Sequence, residues 1–244
     1  MHTDTLTLLI PVRNENHGLD FIAPYIQIAD EVIFVDGNST DGTANEIRKR
    51  YPKAKLIHQG DHKGKGSAIA MGLKEVTSSL VMQVDADFPI STEEILNIKK
   101  LMNERKTLML VKPSRHLSGG GSEDLTNIRR LGALGLAAIA RLIHRVNWTE
   151  VCYAMWTIRA EAIPLLKIDE RILNTSSKST WWLPYAHGFE FDQYVFFTFL
   201  NKGKEIIEIP TFEMSRKTGG SSLFAPRDGA RTLWVIVREA LRKD

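Results

Sequence analysis

Cysteine is nearly absent: Cys152 is the single one in 244 residues. One thiol cannot close an internal disulfide, so a reducing compartment, the cytoplasm, is the expectation. No apolar run reaches the ~18–20 uninterrupted residues that span a bilayer, and the nearest, residues 131–143, is broken by Arg141. The N-terminus has no basic region followed by an apolar signal core. A Lys/Arg block of the kind that makes a nucleic-acid arm is missing, so no nucleic-acid partner is expected. His17, His58, His62 and His187 lack the spacing of a zinc site. Internal repeats and long linkers are also missing, which favours one domain with two halves, 1–90 and 91–244. What is present is an ordinary globular composition, 43% hydrophobic and 25% charged, with a net charge of +3. That mild excess suits phosphate-bearing ligands or an anionic membrane surface and demands neither.

The first half alternates short apolar runs with helix-compatible stretches. Residues 6–12 read as a buried strand stopped at Pro11, and the polar loop Arg13-Asn14-Glu15-Asn16 leads to a helix over 19–28. A second strand, 31–36, ends in Asp36. The turn formers that follow include Asp41 and Thr43, either of which could cap a helix through Arg50. A third strand, 54–58, enters a loop holding Lys63-Gly64-Lys65-Gly66-Ser67, and a helix spans 68–76. Alternation with short connections is the signature of a parallel sheet wound with helices on both faces.

Residues 81–84 form a fourth apolar run and deliver Asp85 and Asp87. In an extended backbone these two side chains point to the same side, just past a strand end, where open α/β sheets hold ligands. Paired carboxylates there suit a hard divalent cation completed by water and phosphate. Farther on, Ser91 or Thr92 caps a helix and 107–111 makes a strand. An arginine-flanked apolar helix covers 125–146, and 148–159 is a strand. A Ser/Thr-rich loop runs from 174 to 180, with Trp181-Trp182 beside it. The helix opened by Gly188-Phe189-Glu190-Phe191-Asp192 runs to Leu200, a strand covers 205–212, and a basic loop spans 216–222. The amphipathic helix 227–242 closes the chain. The two arginine-flanked helices suit either core packing or a membrane interface.

Four segments, Ile10-Pro11-Val12-Arg13-Asn14-Glu15, the stretch from Val35-Asp36-Gly37 to Thr43, Lys63-Gly64-Lys65-Gly66-Ser67, and Asp85-Ala86-Asp87, together resemble the inverting family 2 glycosyltransferases. Ser114-Arg115, the 150–159 stretch, Gly188-Phe189-Glu190 and Arg216-x-x-Gly219-Gly220-Ser221 are similar to the dolichol-phosphate mannose synthase and polyprenyl-phosphate sugar synthase branch. The resemblance covers nearly the whole chain and implies a GT-A fold, a Rossmann-like, mainly parallel twisted sheet flanked by helices on both faces. Three departures stand out. Gly37 follows Asp36 where a second acid is common, Ser222 replaces a lysine, and C-terminal membrane spans are missing.

The resemblance implies a UDP- or GDP-sugar donor held in the 1–90 half and an acceptor in the 91–244 half. Asp36 is the candidate for base or ribose, with Pro11, Arg13, Glu15, Val35 and Ala86 lining the same pocket. Asp85 and Asp87 are the candidate ligands of Mg²⁺ or Mn²⁺, which would act as a Lewis acid toward the departing diphosphate. Arg115 and Arg216 could stabilise that charge through forked hydrogen bonds, and Lys65 could approach a phosphate. A hydroxyl acceptor needs a base, for which Glu190 and Asp192 are candidates and Asp192 is preferred. A polyprenyl-phosphate acceptor is already anionic, and those two acids would then orient sugar or metal. The acceptor expected is a lipid phosphate reached from the cytoplasmic membrane face, directly or through a membrane-anchoring partner. A soluble glycan or metabolite is the alternative acceptor, and a nucleotidyltransferase is the rival reaction.

Overall fold

The computed structural model of the chain describes residues 3–87, 90–174, 186–216 and 224–242. Seven strands make one sheet: β1 (Leu6–Val12), β2 (Glu31–Asp36), β3 (Lys55–His58), β4 (Leu80–Gln83), β5 (Leu108–Ser114), β7 (Trp156–Arg159) and β8 (Glu205–Pro210). Their order is β3-β2-β1-β4-β7-β5-β8. The pairs β1–β2, β2–β3, β1–β4 and β5–β8 are parallel, while β7 runs antiparallel to both β4 and β5. Two short strands, β6 (Gly121–Ser122) and β9 (Phe212–Glu213), pair apart from this sheet. The sheet is thus mainly parallel, as the alternation predicts.

The strands are apolar on both faces because each face carries helices. Leu9, Ile33, Val35, Val81, Leu110 and Ile158 point to one side. There they meet α3 (Lys65–Leu73), α5 (Asn127–His144), α6 (Phe191–Asn201) and α7 (Ala225–Leu241). Leu8, Ile10, Phe34, Leu80, Met82 and Val111 point to the other. That side is covered by α1 (Ala23–Gln27), α2 (Thr43–Arg50) and α4 (Thr92–Glu104). No helix among the described residues is long and apolar enough to cross a membrane.

Several boundaries differ from the sequence expectation for local reasons. The helix expected over 19–28 is split into a 3-10 turn at Gly18–Phe21 and the five-residue α1, which restarts with Pro24 in its first turn, where a missing N–H costs nothing. Gly42, at φ 90°, caps α2, and Asp41 accepts from the Thr43 N–H one position further along. Ser91 caps α4 in a capping box closed by Glu94, as its spacing predicts. The strand expected over 148–159 shrinks to β7, because 148–155 leaves the ladder and turns toward the sheet's carboxyl edge. The expected 205–212 strand breaks after Pro210, and Phe212 and Glu213 pair with the 121–122 segment instead. Trp181-Trp182, most of the 174–180 loop and the Lys217–Ser222 part of the basic loop lie outside the described residues.

Candidate active site

The chain builds β1, β2 and β3 outward and then returns to lay β4 against the other side of β1. The carboxyl ends of β1 and β4 therefore flank the point where strand order reverses, the place where such sheets form a crevice. A cleft of about 920 Å³ opens there. Pro11 reaches it from the end of β1, Arg13 and Glu15 from the loop after β1, and Asp85, Ala86 and Asp87 from the β4 loop. The cleft continues between α5 and α7, with Ile128, Arg129, Arg227 and Arg231 along that end.

Asp85 and Asp87 converge from the turn beyond β4, and each is held by a cation from elsewhere in the chain. Lys65 Nζ lies 2.5 Å from Asp85 Oδ1, and Gln83 donates to that same oxygen at 2.9 Å. Arg216 reaches Asp87 at 3.2 Å and Asp124 at 3.3 Å, bridging two loops. Burial, and then the neighbouring Asp85, push the Asp87 carboxyl up to about 6. Burial and Asp87 likewise push Glu15 up to about 7. Burial works against the Lys65 ammonium, but Asp85 and then Asp192 outweigh it and hold its pKa above the usual lysine range. Arg216 is held up in the same way, chiefly by Asp87 against its burial. Three acids crowd this end of the cleft, and Asp87 Oδ1 is buried with no hydrogen-bond partner. Excess negative charge beside an unsatisfied oxygen fits a divalent cation. Two carboxylates are few for a protein-only site, and no cluster of three or more His, Cys, Asp or Glu ligands occurs among the described residues. That count matches Mg²⁺-type binding, in which one or two carboxylates share the ion with substrate phosphates.

The glycines around Lys65 serve packing. Gly66 N donates to His187 O at 2.7 Å and Ser67 N to the same oxygen at 3.3 Å. The first free N–H groups of α3 are thereby capped by a backbone carbonyl. A Cβ on Gly66 would stand 2.1 Å from Ala186 O and 2.8 Å from Phe191 Cβ. Gly66→Ala is therefore expected to cost about 1–3 kcal/mol by overpacking and to displace Lys65 from Asp85. Thermal melts beside donor-binding titrations check this, and an unshifted Tm would show that the 186–188 segment can retreat.

Other candidates sit elsewhere than the sequence implied. Asp36 is buried and outside the cleft lining, accepting from Ser39 N at 3.2 and 3.3 Å, with His58 Nδ1 at 3.3 Å. Gly37 and Gln59 line the cleft in its neighbourhood. Val35 belongs to the core beside α3. Glu190 and Asp192 are fully buried and do not line the cleft. Trp156 donates to Asp192 at 2.8 Å, and burial pushes that carboxyl up to about 6. Glu190 Oε1 accepts from Gly188 N at 3.0 Å while its Oε2 has no partner. Arg115 lines the cleft but is gripped between Glu150 (2.9 Å) and Glu213 (3.1 Å), with its guanidinium over the Tyr153 ring. Cys152 also lines the cleft, its thiol pushed up to about 12 by burial, so it is no nucleophile at neutral pH.

Sequence reasoning missed Gln59, Asp124, Glu150 and Glu213. Gln59 donates to Gly64 O and Ser67 Oγ, both at 2.7 Å, pinning the start of α3. The three acids act through partners 35 to 98 positions away, and no local pattern announces them.

Residues 7–163 match the family described as Glycosyl transferase family 2, and the chain belongs to that family. A dolichyl-phosphate beta-glucosyltransferase of Trichomonas vaginalis is 25% identical over 175 residues, 63% of this chain and 52% of that protein. A dolichol-phosphate mannosyltransferase of Pyrococcus furiosus is 28% identical over 56% of the chain and 40% of its own length. This chain thus spans about half or less of those two proteins. An undecaprenyl-phosphate mannosyltransferase of Micrococcus luteus is 24% identical over 88% of the chain and 86% of its own length. Among solved structures, mannosyl-3-phosphoglycerate synthase from Rubrobacter xylanophilus superposes with a TM-score of 0.65 at 19% identity, covering 98% of this chain and 73% of the other. A mannosyltransferase from Pyrobaculum calidifontis, in complex with GDP-Man and Mn²⁺, gives 0.54 at 16%, covering 99% and 74%. The fold is GT-A-like, as the resemblance implies.

Proposed function

We propose that this chain transfers a sugar, with inversion, from a nucleoside-diphosphate sugar to a polyprenyl phosphate. The supporting observation is one cleft that runs from the Asp85–Asp87 cluster at the switch point to an apolar, arginine-bearing end between α5 and α7. The family and the polyprenyl-phosphate names of three relatives agree with it.

In this reading the donor diphosphate lies beside Asp85 and Asp87, which would hold Mg²⁺ or Mn²⁺, with Arg216 close by. The metal supplies Lewis-acid stabilisation of the charge that develops on the diphosphate. Lys65 fixes Asp85 through their ion pair. An acceptor phosphate oxygen attacks the anomeric carbon from the face opposite the diphosphate. The C–O bond to the diphosphate breaks, and its electron pair leaves on that group. A phosphate monoester at neutral pH has a free anionic oxygen, so no side chain needs to remove a proton. That accords with Glu190 and Asp192 lying behind the cleft wall, where Asp192 acts electrostatically on Lys65. Arg129, Arg227 and Arg231 suit the acceptor phosphate.

A soluble phosphorylated acceptor would satisfy the same arginines, and one experiment distinguishes the two. Purified protein is incubated with radiolabelled UDP- or GDP-sugars and Mn²⁺, with either a polyprenyl phosphate or water-soluble glycans and sugar phosphates. Metal-dependent label in the organic phase, abolished by EDTA, is expected. Label confined to water-soluble products would overturn the acceptor assignment, and pyrophosphate release from a nucleoside triphosphate would overturn the reaction class.

A further inference from the structure

Helices α5 and α7 pack against each other, and α5 presents its small residues inward: Ala133, Ala137 and Ala140 are buried. Leu136 and Ile139 pack against the core as well, but several of the helix's large apolar residues face out. Leu131 is 75% exposed, Leu142 82% and, on α7, Leu241 77%. Ile128, Leu134, Leu233 and Trp234 add to this outer surface. A monomer rarely leaves a patch of this kind in water.

The charges on the same two helices are of one sign outside. Arg130, Arg141 and Arg145 are exposed and have no acidic partner among the described residues. α5 contains no acid at all. Both acids of α7 are buried and paired, Asp228 with Arg227 and Glu239 with Arg238 and Arg242. Outward-facing leucines bordered by unopposed guanidinium groups match an anionic bilayer, whose acyl region takes the leucines and whose phosphates take the arginines. A protein partner would call for acids on its own face and has no such general reason to prefer leucine beside arginine. The 18 residues of α5 give an apolar edge roughly 27 Å long lying in the surface plane.

We infer that the outer face of α5 and α7 docks the chain on an anionic lipid surface, bringing the end of the cleft between those helices to the membrane. The surface is separate from the catalytic chemistry and holds for any acceptor.

Flotation of the full chain with vesicles of phosphatidylcholine and phosphatidylglycerol, without substrates, tests it. Wild type is expected to float at low salt, less so at high salt, and weakly with phosphatidylcholine alone. Leu131→Glu/Leu142→Glu, whose side chains lie in solvent and outside the cleft lining, should lower partitioning about tenfold or more. Its circular dichroism and Tm should match wild type, as should its turnover with a short, water-soluble acceptor phosphate. The proposal fails if wild type stays with the aqueous fraction, or if the double variant floats as well as wild type. It fails equally if sedimentation shows self-association that the double variant abolishes while vesicle binding is nil, which would make the face an interface between copies. Because the readout is lipid binding, docking can fail while organic-phase transfer in detergent succeeds, and the reverse.

Discussion

Asp87→Ala should lower kcat by roughly 10³-fold, about 4 kcal/mol of transition-state stabilisation, if the carboxylate helps hold the cation at the diphosphate. The same residue should show an opposite effect on stability. Asp87 is buried beside Asp85, and its pKa stands at about 6 against 3.8 for a free aspartate. The protonated form is therefore the one folding favours. That contribution is fully present below the unfolded pKa near 4 and is lost as pH rises through about 6. At neutral pH ionised Asp87 opposes folding, so neutral Asp87→Asn should melt higher than wild type at pH 7, with the difference fading near pH 4. Thermal melts at both pH values and single-turnover assays with saturating Mn²⁺ measure the two effects. Unchanged turnover would remove Asp87 from the reaction, and a lower Tm at pH 7 would show that the Arg216 pairing outweighs the repulsion.

Arg115→Ala should produce the larger loss of stability. The guanidinium holds Glu150 and Glu213 together in a buried site, and Glu213 also takes the Ser122 hydroxyl. Burial opposes the charge on Arg115, but Glu150 and Glu213 outweigh it and raise its pKa. Deleting one member of a buried ion network strands its partners and costs about 3–5 kcal/mol. Arg115→Lys should recover part of this, since an ammonium cannot reproduce the two-sided fork. Urea denaturation of both variants reads the effect. A stable Arg115→Ala protein with weakened donor binding would restore the sequence expectation, in which Arg115 serves the diphosphate directly.

That reversal marks where the sequence stopped being readable. Strands β1, β2 and β4 were legible because each is an apolar run ended by a polar loop, and Ser91 and Glu94 announce α4 by their spacing. Asp85 and Asp87 could be placed together because they stand only two positions apart in the chain. Arg115 was visible as an arginine after β5, but its partners lie 35 and 98 positions further along. The β5–β8 pairing, which sets Ser114 opposite Pro210, and the pairing of β6 with β9 bring Glu213 to it. Lys65 was legible as a cation in a glycine loop, whereas its attachment to Asp85 depends on the docking of α3 against His187. Both faces of α5 are apolar, so periodicity could not tell which faces the core. The small size of Ala133, Ala137 and Ala140 decides that.

The reversed direction of β7 has a bearing on where variation in this cleft should be sought. In a strand that runs with its neighbours, the segment after it reaches the crevice. Here the segment before it does, so Tyr153 and Ala154 lie in the cleft wall while Arg159, at the strand's far end, ties down the opposite rim through Asp4 and Leu108. Exchanges at Tyr153 and Ala154 should retune what the crevice accepts, and exchanges at Arg159 should register only as changes in melting.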